Sequence, residues 1–271
     1  MTDSTLVHRI GVTVPDIDQA LRYFGSLIGP SSVDTAGATV RFEPGIEVAL
    51  SRAAVSEDPP RIVDIGANHL CFRVADIEQA VAHLETLSGT TVLGDIMTVP
   101  AGPIAGNRWI YFRSPWGTLF ELQQWPEVPG YIADTTARLF HGHRAPEDAP
   151  LPSVLGLDHS GYSVSDLEAA LEFLKREHAA TVVLRTEISA DRAFMRAQFG
   201  IDVEGTSAMA MVVVGDGLNI ELFEHRVGAQ EPPRPLDRLG GNYLALGGAA
   251  RSAPDVVRTP FGLLVDGVAV R

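Results

Sequence analysis

The chain has 271 residues, 45% hydrophobic and 20% charged, enough apolar material for two packed domains and too much for wholesale disorder. Its 34 acidic against 21 basic residues give a formal charge of -13, which excludes the basic footprint of a nucleic-acid binder and attachment to an anionic membrane surface. A single cysteine, Cys71, excludes an internal disulfide framework and a cysteine-based zinc knuckle.

The opening residues, MTDSTLVHRIGVTVPDID, lack the basic start and apolar core of a secretory leader. The longest apolar runs, such as Met209–Val214, are too short to cross a bilayer. The expected location is cytoplasmic. Along the chain, one pattern then recurs. Arg9 opens RIGVTVPDIDQALRYF, His69 opens HLCFRVADIEQAVAHL and His159 opens HSGYSVSDLEAALEFL. Each is an alternating apolar stretch, an Asp seven residues after the first, and a helical pattern. The spacing predicts a strand, an N-cap (Asp16, Asp76, Asp166) and an amphipathic helix. A fourth copy starts where Asn242-Tyr243-Leu244 matches Asn68-His69-Leu70, and no helix pattern follows it.

The copies also close alike. SPWGTLFEL from Ser114 and TPFGLLVDG from Thr259 turn at a Pro-x-Gly and place an acid four residues after the Gly, Glu121 and Asp266. Gly217 and Glu221 repeat this in the third copy, whereas Gly45 leads to Ala49 in the first. The chain therefore reads as four strand–helix–strands modules, the fourth shortened. The Pro-rich stretch between Glu121 and His159 is the expected linker. The expected organisation is a first domain of modules one and two over 1–130, a linker over 131–152, and a second domain of modules three and four over 153–271.

These residues resemble the vicinal oxygen chelate superfamily, which includes glyoxalase I, methylmalonyl-CoA epimerase, extradiol dioxygenases and bleomycin-resistance proteins. The likeness covers the chain except the linker and the shortened fourth module. It implies an α+β fold of βαβββ modules used in pairs. Two modules curl their sheets into a cup around one divalent metal, whose ligands are the opening and closing residues. Module two then offers His69 and Glu121, and module three His159 and Glu221. Module four offers Tyr243 and Asp266, and module one Arg9 and Ala49. Pairing two with three gives a complete set, as in fused monomeric glyoxalase I enzymes, and leaves one with four as scaffold. Arg9 cannot ligate, because a guanidinium stays protonated. Imidazole and carboxylate donors suit Zn, Ni, Fe, Co or Mn without choosing among them.

The resemblance implies isomerase, lyase or epimerase chemistry through a metal-chelated enolate, with Glu121 and Glu221 as general-base candidates. The substrate is then a small molecule with adjacent oxygens. Arg73 shares a strand face with His69 and is a substrate-binding candidate. So are Arg108, Trp109 and Tyr111 in GNRWIYF, of which alternate ones face the cup. Cys71 shares the ligand face and reads as a small buried hydrophobe. Two rivals stand beside this reading. One is an extradiol ring-cleaving dioxygenase, which uses two His and one Glu on ferrous iron. The other is a non-enzymatic binding protein of the resistance type, whose members tend to lack the ligands. Neither nucleic acid nor membrane is an expected partner, and the protein is expected to be a monomer or homodimer.

Overall fold

A computed structural model of the protein describes residues 7–42, 45–55, 57–125, 145–214, 218–248 and 255–266. Most of the expected linker, 131–144, therefore lies outside the described residues. Module one comprises β1 (Val7–Val14), α1 (Ile17–Ile28), β2 (Val33–Asp34), β3 (Thr39–Phe42) and β4 (Ile46–Arg52). Module two comprises β5 (Asn68–Val74), α2 (Ile77–Leu84), β6 (Thr91–Thr98), β7 (Arg108–Arg113) and β8 (Leu119–Gln124). Module three comprises β9 (Val154–Ser163), α3 (Leu167–His178), β10 (Thr181–Ala190), α4 (Arg192–Phe199), β11 (Gly205–Val214) and β12 (Leu218–Arg226). Module four contributes β13 (Asn242–Gly248), β14 (Val256–Arg258) and β15 (Leu264–Asp266), with no helix among its described residues.

The repeated Asp is the helix start in all three copies. Asp16, Asp76 and Asp166 have extended backbones and accept from the amides of Gln19, Gln79 and Ala169 at 2.8, 3.0 and 2.9 Å. Each carboxylate satisfies one of the amides that a helix leaves unpaired at its first turn.

The strands form two sheets. The inner one runs β10-β11-β12-β9-β5-β8-β7-β6 and joins modules two and three. The outer one runs β14-β15-β13-β1-β4-β3-β2 and joins modules one and four. Within each module the opening and closing strands are parallel neighbours, and the modules meet through antiparallel pairs, β5 with β9 and β1 with β13. Side-chain packing runs the other way. Phe24 lies 5.7 Å from Phe120 and Phe42 lies 6.1 Å from Phe72, tying module one to module two. Phe173 lies 5.5 Å from Phe261, tying three to four. Apolar burial drives those contacts, while the backbone ladder builds the cups. No helix among the described residues is long and apolar enough to cross a membrane.

Module three departs from the repeat by inserting α4 between two strands. Asp191 caps it through the Phe194 amide at 2.8 Å, and Gly200 ends it at φ 68, a left-handed turn that glycine takes without steric cost. The helix packs on β6 and β7 of module two. Phe194 meets Trp109 at 6.4 Å and Phe199 meets Tyr111 at 5.1 Å.

Candidate metal centre

The site lies where β5 and β9 cross the middle of the inner sheet. His69 stands opposite Gly161, and His159 stands opposite Cys71. In the neighbouring parallel strands, Glu121 stands beside Cys71 and Glu221 beside Gly161. A Cβ on Gly161 would come within 1.9 Å of the His69 ring, so glycine there lets the imidazole lie across the sheet.

The four side chains converge. One ligand atom from each of His69, Glu121, His159 and Glu221 can be chosen so that all lie within 4.8 Å of one another, and all four residues are buried. The two Nε2 atoms are 3.2 Å apart. Glu121 Oε2 lies 3.3 and 3.4 Å from the Nε2 atoms of His69 and His159, and Glu221 Oε2 lies 3.4 Å from both. Neither Oε2 has a hydrogen-bond partner. Buried carboxylate oxygens left without donors are costly. Two imidazole nitrogens and two carboxylate oxygens aimed at one point form a donor set for a divalent cation. Bonds of about 2.0–2.2 Å to a central ion would give donor separations near those seen.

The protonation pattern has the same cause. Burial alone would raise Glu121, but His159 and His69 outweigh it and pull the carboxyl down to about 2. Burial works to lower His69, yet Glu121 and Glu221 raise it on balance. The two carboxylates thus favour positive charge at the centre, which protons on the imidazoles supply and a metal ion would supply in their place. Cys71 is buried, and burial first and Glu121 second push its thiol well up, which fits a small buried hydrophobe.

The supports of the two carboxylates differ. Gln123 Nε2 donates to Glu121 Oε1 at 3.0 Å. Gln123 Oε1 in turn accepts from Trp125 Nε1 at 2.8 Å and Asn107 Nδ2 at 3.3 Å. Glu221 has no such tether among the described residues. Tyr111 pairs with Glu121 across β7 and β8. Burial, then the two glutamates, hold its phenol well above the usual range, so it stays a hydrogen-bond donor. Tyr111, Leu119, Ile62, Met195 and Phe199 form one apolar cluster. Leu184, Met209 and Met211 form another, with Trp125 packed against it.

The chain belongs to the vicinal oxygen chelate superfamily. The model of the Glyoxalase/Bleomycin resistance protein/Dioxygenase superfamily matches residues 6–122. A 2-epi-5-epi-valiolone epimerase from Actinomyces sp is 35% identical over 159 residues, covering 49% of this chain and 87% of that relative. Among solved structures, glyoxalase I from Zea mays covers 95% of this chain and 89% of its own, with a TM-score of 0.53 and 14% identity. A variant of the maize enzyme covers 95% and 91% with a TM-score of 0.55, again at 14% identity. At that identity the likeness is one of fold.

Within this superfamily architecture the remaining sequence candidates separate. Trp109 and Tyr111 share the cup face of β7. Arg108 does not. It lies on the opposite face with Ile110 and Phe112, which are in the core, and its guanidinium forms an ion pair with Glu78 of α2. Strand alternation decides this. Arg73 shares the face of His69 and Cys71 but stands at the far end of β5, opposite Gly156 and beside Gln123, outside the four-residue cluster. The repeat did not reveal Gln123, Asn107, Asp158 or α4. The DRAFMRAQFG segment did carry a signal, an Asp three residues before Phe194 and a closing Gly200.

The outer sheet holds the same four positions with other residues. Tyr243 lies opposite Gly11 and Arg9 opposite Ala245, with Ala49 beside Gly11 and Asp266 beside Ala245. Arg9 Nη2 pairs with Glu47 Oε2 at 2.8 Å. Burial opposes the Arg9 charge, but Glu47 and Tyr243 outweigh it, so the guanidinium stays protonated.

Proposed function

We propose that this protein is a metal-dependent isomerase or epimerase that moves a proton at a carbon flanked by two substrate oxygens. The observation that carries the reading is the fourth donor. Glu221 joins two histidines and Glu121 at one point, and among the described residues it has no tether like the one that fixes Glu121. A divalent ion held by His69, Glu121, His159 and Glu221 supplies Lewis-acid polarisation of adjacent substrate oxygens, which acidifies the neighbouring C–H. Glu121, held by Gln123, stays in place. Glu221 takes the proton from carbon, the general-base role; isomerisation then delivers a proton to the neighbouring carbon, and epimerisation delivers one to the opposite face of the same carbon. The Tyr111 phenol donates a hydrogen bond to a substrate oxygen, and Trp109 with the α4 aromatics keeps water away. Arg73, along the same strand face, contacts an anionic substituent where the substrate has one. The Actinomyces relative, an epimerase, supports this class of chemistry.

Solvent exchange tests the proposal. Metal-loaded protein in deuterated water, given small α-hydroxy ketones, is expected to exchange the proton beside the carbonyl. Glu221→Gln is expected to slow exchange by about 10²–10⁴-fold while keeping its metal. Oxygen uptake with a catechol and ferrous iron, without such exchange, would replace this reading by ring cleavage.

A further inference from the structure

Strand alternation puts His159 on the same face as Gly161, but its strand is irregular just before it. Along the β5–β9 ladder, Cys71 pairs with His159 but Phe72 pairs with Leu157, so Asp158 is an extra residue on β9. Such a bulge re-aims side chains, because two residues on one strand face one on the other. Here it brings the side chains of two consecutive residues together. Asp158 Oδ1 lies 3.0 Å from His159 Nδ1, and both side chains are wholly buried. The bulge is itself pinned, since Asn219 Nδ2 donates to the main-chain oxygen of Asp158 at 2.7 Å. Asn219 is 1% exposed and sits two residues before Glu221.

We infer that Asp158 is a positioning residue for the metal centre: its carboxylate accepts the Nδ1 proton of His159 and so presents Nε2 with a free lone pair to the ion. The inference rests on the metal reading above. An imidazole has one ligating nitrogen when the other carries the proton, and the partner of the second nitrogen decides which is which. A carboxylate partner also makes the ligating nitrogen a stronger donor and fixes the ring plane. His69 has no equivalent partner on its Nδ1 among the described residues, so the two histidines are held unequally. The outer sheet lacks the device. Its register break adds a residue to β13 rather than β1, and Arg9 follows His8, not a carboxylate.

The test uses the full-length protein, freed of metal and titrated with Zn(II) against a chromophoric chelator, and with Co(II) followed by its visible bands. Asp158→Ala is expected to weaken Zn(II) binding by about 10–100-fold and to shift the Co(II) bands. Asp158→Asn keeps an oxygen in the same place without the charge, and is expected to lose a smaller factor, about 2–10-fold. It carries the test if the alanine variant does not fold. Unchanged affinity and unchanged Co(II) bands in either folded variant, with only a lower Tm, would reduce Asp158 to a strand support and overturn the inference. Failure of the metal reading looks different: wild type and His69→Ala would then bind equally little metal, and the positioning role would fall with it.

Discussion

The two sheets are built on one plan, and they differ most at four positions. In both, two opening strands cross antiparallel and each is flanked by its parallel closing strand. In both, a glycine makes room for a ring that lies over it: Gly161 beneath His69, Gly11 beneath Tyr243. The inner sheet fills the positions with His69, His159, Glu121 and Glu221. The outer fills them with Tyr243, Arg9, Asp266 and Ala49. The inner set has more negative charge than its imidazoles balance when neutral, so it calls for a cation. The outer set brings its own cation, Arg9, and pairs it with Glu47. The shared backbone plan survives either filling, because the ladder and the apolar core hold the sheets, while the four positions differ in the charge they present.

The largest effect expected from breaking this comparison is catalytic. Glu221→Gln should lower turnover by about 10²–10⁴-fold. Ala49→Glu on the outer sheet, where Arg9 and Tyr243 remain, should create no second activity. A rate increase in that variant would show that the outer cup works.

The paired glycines give the next sharpest contrast. In Gly161→Ala the new Cβ would sit 1.9 Å from the His69 ring, and in Gly11→Ala 1.8 Å from the Tyr243 ring. Both should cost about 1–3 kcal/mol of stability from overpacking, read by denaturant unfolding. Gly161→Ala alone should also lower metal affinity, because the displaced ring is one of the four proposed ligands. Equal metal affinities in the two variants would remove the distinction between the cups.

Acid should separate the sheets more mildly. His225 of the inner sheet bonds to Ser207 Oγ at 2.7 Å and Ser163 Oγ at 3.1 Å, and burial pulls it down to about 4. On the outer sheet, burial and then His178 lower His8. A lowered histidine is favoured neutral in the fold. Its contribution is therefore present above about pH 6.5 and is lost as pH falls toward the folded value. His225→Gln should flatten the loss of stability between about pH 6.5 and 4 by on the order of 1–3 kcal/mol, more than His8→Gln does. An unchanged slope in thermal melts across that window would contradict the assignment.

Much of the site was legible because repetition made it so. A lone His at the start of a strand carries little information, but His69 and His159 recur at one module position, and Glu121 and Glu221 recur at another. The partition of intact and replaced positions even indicates which modules share a sheet. What stayed hidden depends on single-residue displacements. Arg108 and Trp109 are neighbours in sequence and lie on opposite faces, and no pattern told which face was the cup. Asp158 works only because of a bulge, and a one-residue register break leaves no periodic trace. Helix α4 has no counterpart among the described residues of the other modules, so the repeat argued against it. Gln123 reaches Glu121 through strand alternation, yet a glutamine two residues from an acid is ordinary in a strand.

Metal stoichiometry tests the central claim most directly. Purified protein loaded with a single divalent metal and cleared of excess should hold one ion per chain. His69→Ala should hold none, and Asp266→Ala should still hold one. Two ions per chain, or loss of metal in Asp266→Ala with retention in His69→Ala, would contradict the assignment of the metal to the inner sheet.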